Sequence, residues 1–515
     1  MAPASDGTRG KVARVAAVQD QGVVKHRALI TAIAILASMI YSIDWTIAAV
    51  ALPHMQGAFS ATQDQIAWVM TSYIVVSAIA LPTTGWLSSV IGRKRLFLVS
   101  IGGFTVFSIF CGAANSLPAE IFFRALQGCF GAFLIPLSQA LLLDIYPKEK
   151  HSQAVALWGM GVILGPIIGP TLGGYLTEEY SWRWVFYVGV PIGAVAFLGG
   201  WIFLPKDDTA RTPATFDWLG FAALAVGVGA LQLMLDRGER LDWFESMEVR
   251  IEAGLVVLGL YVFAIHALSS RAPLIDLRLM LDRNYSLGLL LAFLYGVLTL
   301  PPLILMPSFL ATLQGYPVVT VGMLLSPRGV GLMIAMMILG RIGNRIEPRL
   351  TLAAGFAAIG ASSWVMSGWS VYVPASEVIW TGVVQGIGAG AIIVPLGVVT
   401  FATLDPVHRT EAASIWNLVR SAGSSIGIAV AIFIVARMAS VSRADLVNFV
   451  SPFNLVFQNP NLAGWASLEH TGNLARFSEE ITRQALMVGY IDVFYLSAWA
   501  AVLALPLIVL LARAK

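Results

Sequence analysis

The chain has 515 residues, of which 57% are hydrophobic and only 12% charged, with a mean hydropathy of +0.79. Soluble domains carry about 25% charged residues, so this is the composition of an integral membrane protein. The net charge of +3 is too small to point to nucleic acid as a partner.

Fourteen apolar stretches approach the roughly 20 residues that a membrane crossing needs. They fall at 28–52, 64–87, 96–115, 118–143, 152–177, 184–204, 216–235, 250–269, 286–310, 318–340, 350–370, 377–401, 411–436 and 486–511. The reading is an all-α protein embedded in the lipid bilayer. A polar tail, 1–27, precedes the first stretch, and its basic residues include Arg9, Lys11 and Arg14. Basic residues also crowd alternate connections, as in Arg93-Lys94-Arg95, while the opposite connections hold few. That bias predicts both termini on the cytoplasmic side. The expected organisation is a first six-helix bundle over 28–204 and a linker with two inserted transmembrane helices over 205–285. A second six-helix bundle follows over 286–511, carrying an outer loop at 437–485, and 512–515 form a short cytoplasmic tail. Within the loop, Ala475 to Ala485 reads as a short amphipathic helix.

The two bundles echo each other. Gln127-Gly128 precedes Pro136 and Pro147, and Gln385-Gly386 precedes Pro395 and Pro406, each proline pair offset by the same interval. Parallel repeats of this kind place a binding site near the midplane between them.

The fifth stretch contains Gly161-Val-Ile-Leu-Gly165-Pro166-Ile-Ile-Gly169-Pro170-Thr-Leu-Gly173-Gly174. A glycine at every fourth position lies on one face of a helix. In water such a helix fails, because glycine costs about 1 kcal/mol and proline about 3. In lipid, small faces let a neighbouring helix come close. The stretch therefore reads as a bent, tightly packed helix, either a static support or one that rocks.

Asp44 is the acid of the first stretch and Arg124 the cation of the fourth. Ionisable groups inside a bilayer are costly and face a cavity or a partner. Arg124 is the expected partner of Asp44, and Gln127 shares its helix face. Two roles stand open for the pair: a switchable proton carrier or a fixed strut. Tyr41, Tyr73, Gln127, Gln139, Asn417 and Arg420 are candidate linings of an otherwise apolar substrate pocket. Cys111 and Cys129 read as small apolar residues. No phosphate loop and no H-E-x-x-H motif occurs, so no nucleotide hydrolysis by that route, no cofactor and no metal are expected.

These residues resemble the major facilitator superfamily, and within it the fourteen-span drug:proton antiporters of EmrB/QacA type. Gly165-Pro166-Ile-Ile-Gly169-Pro170-Thr-Leu-Gly173-Gly174 is similar to the antiporter motif of that family. Arg124 with Gln127-Gly128 is similar to the motif whose arginine is implicated in proton transfer. Asp44-Trp-Thr-Ile-Ala-Ala-Val-Ala-Leu-Pro53 resembles the span-one signature. Leu231-Gln-Leu-Met-Leu-Asp236-Arg237 and the segment from Ser451 resemble the EmrB branch. The resemblance implies proton-coupled export of hydrophobic or amphiphilic molecules such as drugs across a bacterial inner membrane. An uncoupled exporter, or one dedicated to a metabolite or fatty acid, is the alternative. It also implies a periplasmic adaptor protein and an outer-membrane channel as partners. Ser89 stands where the family pattern has aspartate, and Ala49 and Gly189 stand where it has asparagine.

Overall fold

Lipid offers no hydrogen-bond partner to a free backbone, so apolar stretches of this length close their N–H groups onto their own carbonyls. The computed structural model describes residues 26–205, 215–270, 273–404, 408–450 and 471–511. No strand occurs among them. In chain order the helices are α1 Arg27–Phe59, α2 Gln63–Ala80, α3 Thr84–Ile91, α4 Arg93–Ala113, α5 Leu117–Gly131 and α6 Leu134–Ile145. Next come α7 His151–Glu179, α8 Trp184–Tyr187, α9 Gly189–Phe203, α10 Trp218–Arg237, α11 Met247–Ser269 and α12 Arg283–Ser308. The last five are α13 Val318–Ile342, α14 Pro348–Met366, α15 Ala375–Phe401, α16 Arg409–Phe449 and α17 Thr471–Val509.

Thirteen candidate spans among the described residues are long and apolar enough to cross a membrane, three of them joining successive α-helices. The difference from fourteen lies at 350–370. That stretch is helical, as α14, but Arg349 and a run of glycine, alanine and serine dilute its apolarity. The fourth stretch is helical on both sides of a break near Phe133, which separates α5 from α6. Residues 437–449 and 474–485, expected as loop with one short helix, instead extend α16 and α17. Ser451 and its neighbours to 470 lie outside the described residues, as do the tails 1–25 and 512–515.

Local chemistry sets several boundaries. Thr62 Oγ1 accepts from Gln65 N at 3.3 Å, and Gln65 Oε1 accepts from Thr62 N at 3.0 Å, a reciprocal cap that starts α2. Asp282 accepts from Tyr285 N at 2.8 Å and starts α12. Gly92 has φ +91, the turn between α3 and α4 that a side chain would strain.

The chain divides into two units. The first draws on Met1–Gly229, Val257–Leu279 and Leu404–Leu418, the second on Ala230–Val256, Met280–Thr403 and Val419–Lys515. In the first, α1 packs along α7, α2 along α5, α4 along α5, and α9 against both α1 and α4. In the second, α13 and α14 pack along α15, and α14 along α17.

Glycine sets the same pairings in each unit. A Cβ on Gly128 of α5 would come 2.5 Å from Tyr73 O of α2. A Cβ on Gly386 of α15 would come 2.0 Å from Arg328 O of α13. Gly165 of α7 meets Ser42 of α1 in this way, and Gly423 of α16 meets Phe293 of α12. The repeat visible in the sequence thus has a physical content: each unit uses glycine to bring its fourth helix onto its second and its fifth onto its first.

Candidate functional site

The stripe of glycines on α7 lies on α1. A Cβ added at Gly161, Gly165, Gly169 or Gly173 would strike Ile35, Ser42, Thr46 or Ile47 at 2.9, 2.4, 2.1 and 2.8 Å. Gly174 has open space beside it. Pro166 and Pro170 are both carried within the helix. The backbones come so close that Thr46 Oγ1 donates to Gly165 O at 3.1 Å, across the two helices. α1 is therefore held tightly on one side, two residues from Asp44.

On its other side Asp44 meets α5. It is 5% exposed, and Arg124 and Gln127 are wholly buried. Arg124 Nη1 donates to Asp44 Oδ2 at 2.6 Å, and Gln127 Nε2 donates to Asp44 Oδ1 at 2.9 Å. Both carboxylate oxygens are thus satisfied. Arg124 Nη1 also donates to Gln127 Oε1 at 2.6 Å, and Gln127 Nε2 to Ser108 Oγ of α4 at 2.6 Å. The guanidinium carbon lies 4.3 Å from the Tyr73 ring centroid and 5.4 Å from that of Phe186. Aromatic faces of this kind hold a cation without neutralising it. The ion pair is closed by hydrogen bonds, as a buried pair must be to offset its desolvation.

Tyr73 stacks near Tyr41, with ring centroids 5.8 Å apart, so both tyrosines border this cluster. Gln139 and Asn417 form a separate buried pair, Asn417 Nδ2 donating to Gln139 Oε1 at 3.0 Å. Arg420 belongs to the second unit, where its carbonyl accepts from Ser424. Ser89 donates to Trp86 O at 2.7 Å, within its own helix. Arg93 instead pairs with Asp144 at the end of α6, and Arg409 Nη1 reaches the same carboxylate at 3.0 Å.

Sequence reasoning missed two members of the neighbourhood. Ser108 is one of many serines in apolar helices, and nothing marks it. Glu120 stands four residues before Arg124 and so on the same face, but at the edge of an apolar stretch, where an acid ordinarily faces water.

The comparisons with known proteins bear on what holds this cluster. A family model described as Major Facilitator Superfamily matches residues 34–428. The chain belongs to the Major Facilitator Superfamily. Among curated members it is 34% identical over 474 residues to "Multidrug export protein EmrB" of Escherichia coli (strain K12), covering 90% of this chain and 91% of that protein. It is 32% identical over 479 residues to "Fatty acid resistance protein FarB" of Neisseria gonorrhoeae, covering 92% and 94%. Among solved structures, the human organic anion transporter MFSD10 superimposes with a TM-score of 0.57 at 14% identity, over 92% of this chain and 99% of that one. That likeness concerns the fold alone. The chain is thus a multi-pass membrane protein of a transporter superfamily, and it groups with EmrB-like members.

Proposed function

We propose that this protein exports hydrophobic or amphiphilic small molecules in exchange for protons, and that Asp44 carries the proton. The observation that carries the reading is the buried Asp44–Arg124–Gln127 cluster in a chain 34% identical to a multidrug exporter over 90% of its length. Ionised Asp44 is held by two donors. Protonation removes its charge and loosens Arg124, which Gln127 and the Tyr73 face still support. The helix that carries Asp44 is clasped by α7, so a change at Asp44 is transmitted to a long rigid contact. Substrate arriving from inside favours release of the proton. Each charge crossing 100 mV supplies about 2.3 kcal/mol, so one or two protons sustain a useful gradient.

The protein is read as a transporter and not an enzyme, placed in a bacterial inner membrane with both termini in the cytoplasm. Tyr41, Tyr73, Gln127, Gln139, Asn417 and Arg420 are the polar positions proposed to meet substrate. A periplasmic adaptor and an outer-membrane channel complete the proposed assembly. A second reading, export dedicated to fatty acids, is supported by the 32% identity to FarB. Uptake into inverted membrane vesicles, which is the export direction, assayed with ethidium and with a long-chain fatty acid, tests both. Antiport predicts that an uncoupler stops export of whichever compound is carried, and uncoupler-resistant export refutes it.

A further inference from the structure

Glu120 lies in the first turn of α5 with none of its surface exposed, and neither carboxyl oxygen has a hydrogen-bond partner. A carboxyl group at a helix start ordinarily accepts from the free N–H groups there. This one does not, so capping does not account for it. Glu120 shares the buried face of α5 with Arg124, Gln127, Gly128 and Gly131. One turn, about 6 Å of rise, separates it from Arg124. An ionised carboxylate enclosed without donors is far costlier than a neutral one. The charges that act on it are Arg124 of its own helix, Asp44 of α1 and Arg183 ahead of α8. Glu120 in turn acts on the thiol of Cys111, at the end of α4. Arg183 is itself engaged, donating to Ala114 O at 2.6 Å.

We infer that Glu120 is a second proton-binding carboxyl group, coupled to Asp44 through the one guanidinium they share. The inference rests on the antiport reading above. In the arrangement described, Asp44 holds Arg124 and Gln127 while Glu120 carries the proton. When the proton moves on, the O–H bond on Glu120 breaks and an O–H bond forms on Asp44. Arg124 then turns from Asp44 to the freed carboxylate one turn away. One proton has moved, and the buried charge is unchanged. Two carboxylates that share a cation in this way titrate as a pair. With the N-terminus inside, the start of α5 faces outward, so of the two carboxyl groups Glu120 lies nearer the outside.

The test is infrared titration of the purified full chain in lipid, following the carbonyl band of protonated carboxyl groups between pH 5 and 9. Wild type, Glu120→Gln, Glu120→Asp and Asp44→Asn are compared. A band that titrates in wild type, is lost in Glu120→Gln, returns in Glu120→Asp and moves by about one pH unit in Asp44→Asn supports the inference. An unchanged band in Glu120→Gln, or one that never titrates, overturns it. Ethidium export by the same variants separates the two levels of the account. If an uncoupler leaves export intact, the antiport reading fails whatever Glu120 does. If export is proton-driven and Glu120→Gln keeps the wild-type pH profile, only Glu120 leaves the pathway.

Discussion

Arg124 closes on Asp44 with Nη1 2.6 Å from Oδ2, joining α5 to α1 in a place where both residues are buried. Asp44→Asn keeps the shape and a hydrogen-bonding group but cannot gain and lose a proton. It is expected to fold, with a melting temperature in detergent near that of wild type, and to lose proton-driven export. Arg124→Ala differs in kind. It leaves a buried carboxylate unpaired, a change that costs about 3–5 kcal/mol. Thermal unfolding in detergent should therefore separate the two variants, with Arg124→Ala the less stable.

The α1–α7 contact predicts a graded series. A methyl group at Gly169 would stand 2.1 Å from Thr46 Oγ1, and one at Gly165 2.4 Å from the carbonyl carbon of Ser42. Gly165→Ala and Gly169→Ala should each cost about 1–3 kcal/mol from overpacking. Gly174→Ala meets nothing and should be neutral or gain up to about 1 kcal/mol from helix propensity. Melting temperatures of the three variants check the order.

Asp217 caps α10 one residue ahead of the span, which in the structure begins at Trp218 and not at 216. Its Oδ1 accepts from Gly220 N at 2.9 Å, its Oδ2 from Leu274 N at 3.0 Å, and His266 Nε2 lies 2.8 Å from Oδ1. Burial alone would push its carboxyl up, but the two backbone N–H groups and His266 outweigh it and hold it below the ordinary value. A carboxylate depressed in the fold stabilises the fold above its unfolded pKa, about 3.9. That contribution is lost as pH falls through the lower folded value. Asp217→Ala should therefore cost about 0.5–2 kcal/mol at neutral pH. The gap in melting temperature from wild type should narrow below about pH 4.

Asp144 serves two cations, Arg93 and Arg409, at the end of α6. Asp144→Ala leaves both without that partner. Because the carboxylate is 29% exposed, water screens part of the loss. The expected destabilisation is about 1 kcal/mol or less, and it should shrink in high salt. Unfolding at low and high ionic strength checks it.

The helical membrane architecture was legible because apolar run length is a direct consequence of the bilayer. Asp44 and Arg124 stood out for the same reason: opposite charges in apolar stretches have little choice but each other. Gln127 followed from helix spacing. What the sequence hid was local. The break between α5 and α6 falls near Phe133, between Gly131 and Pro136, inside a stretch that reads as one continuous apolar crossing. The extension of α16 to Phe449 runs through polar residues such as Ser440, Ser442 and Arg443, which read as loop. Glu120 stands at the edge of an apolar stretch, where an acid ordinarily faces water, and only the packing shows it buried.

The central claim is that Asp44 exchanges a proton as substrate comes and goes. It is tested most directly by counting protons released into weakly buffered detergent solution when ethidium binds the purified protein. The account predicts release of about one proton per ethidium bound by wild type, and a loss of that release in Asp44→Asn at saturating ethidium. Equal release from Asp44→Asn and wild type would contradict it.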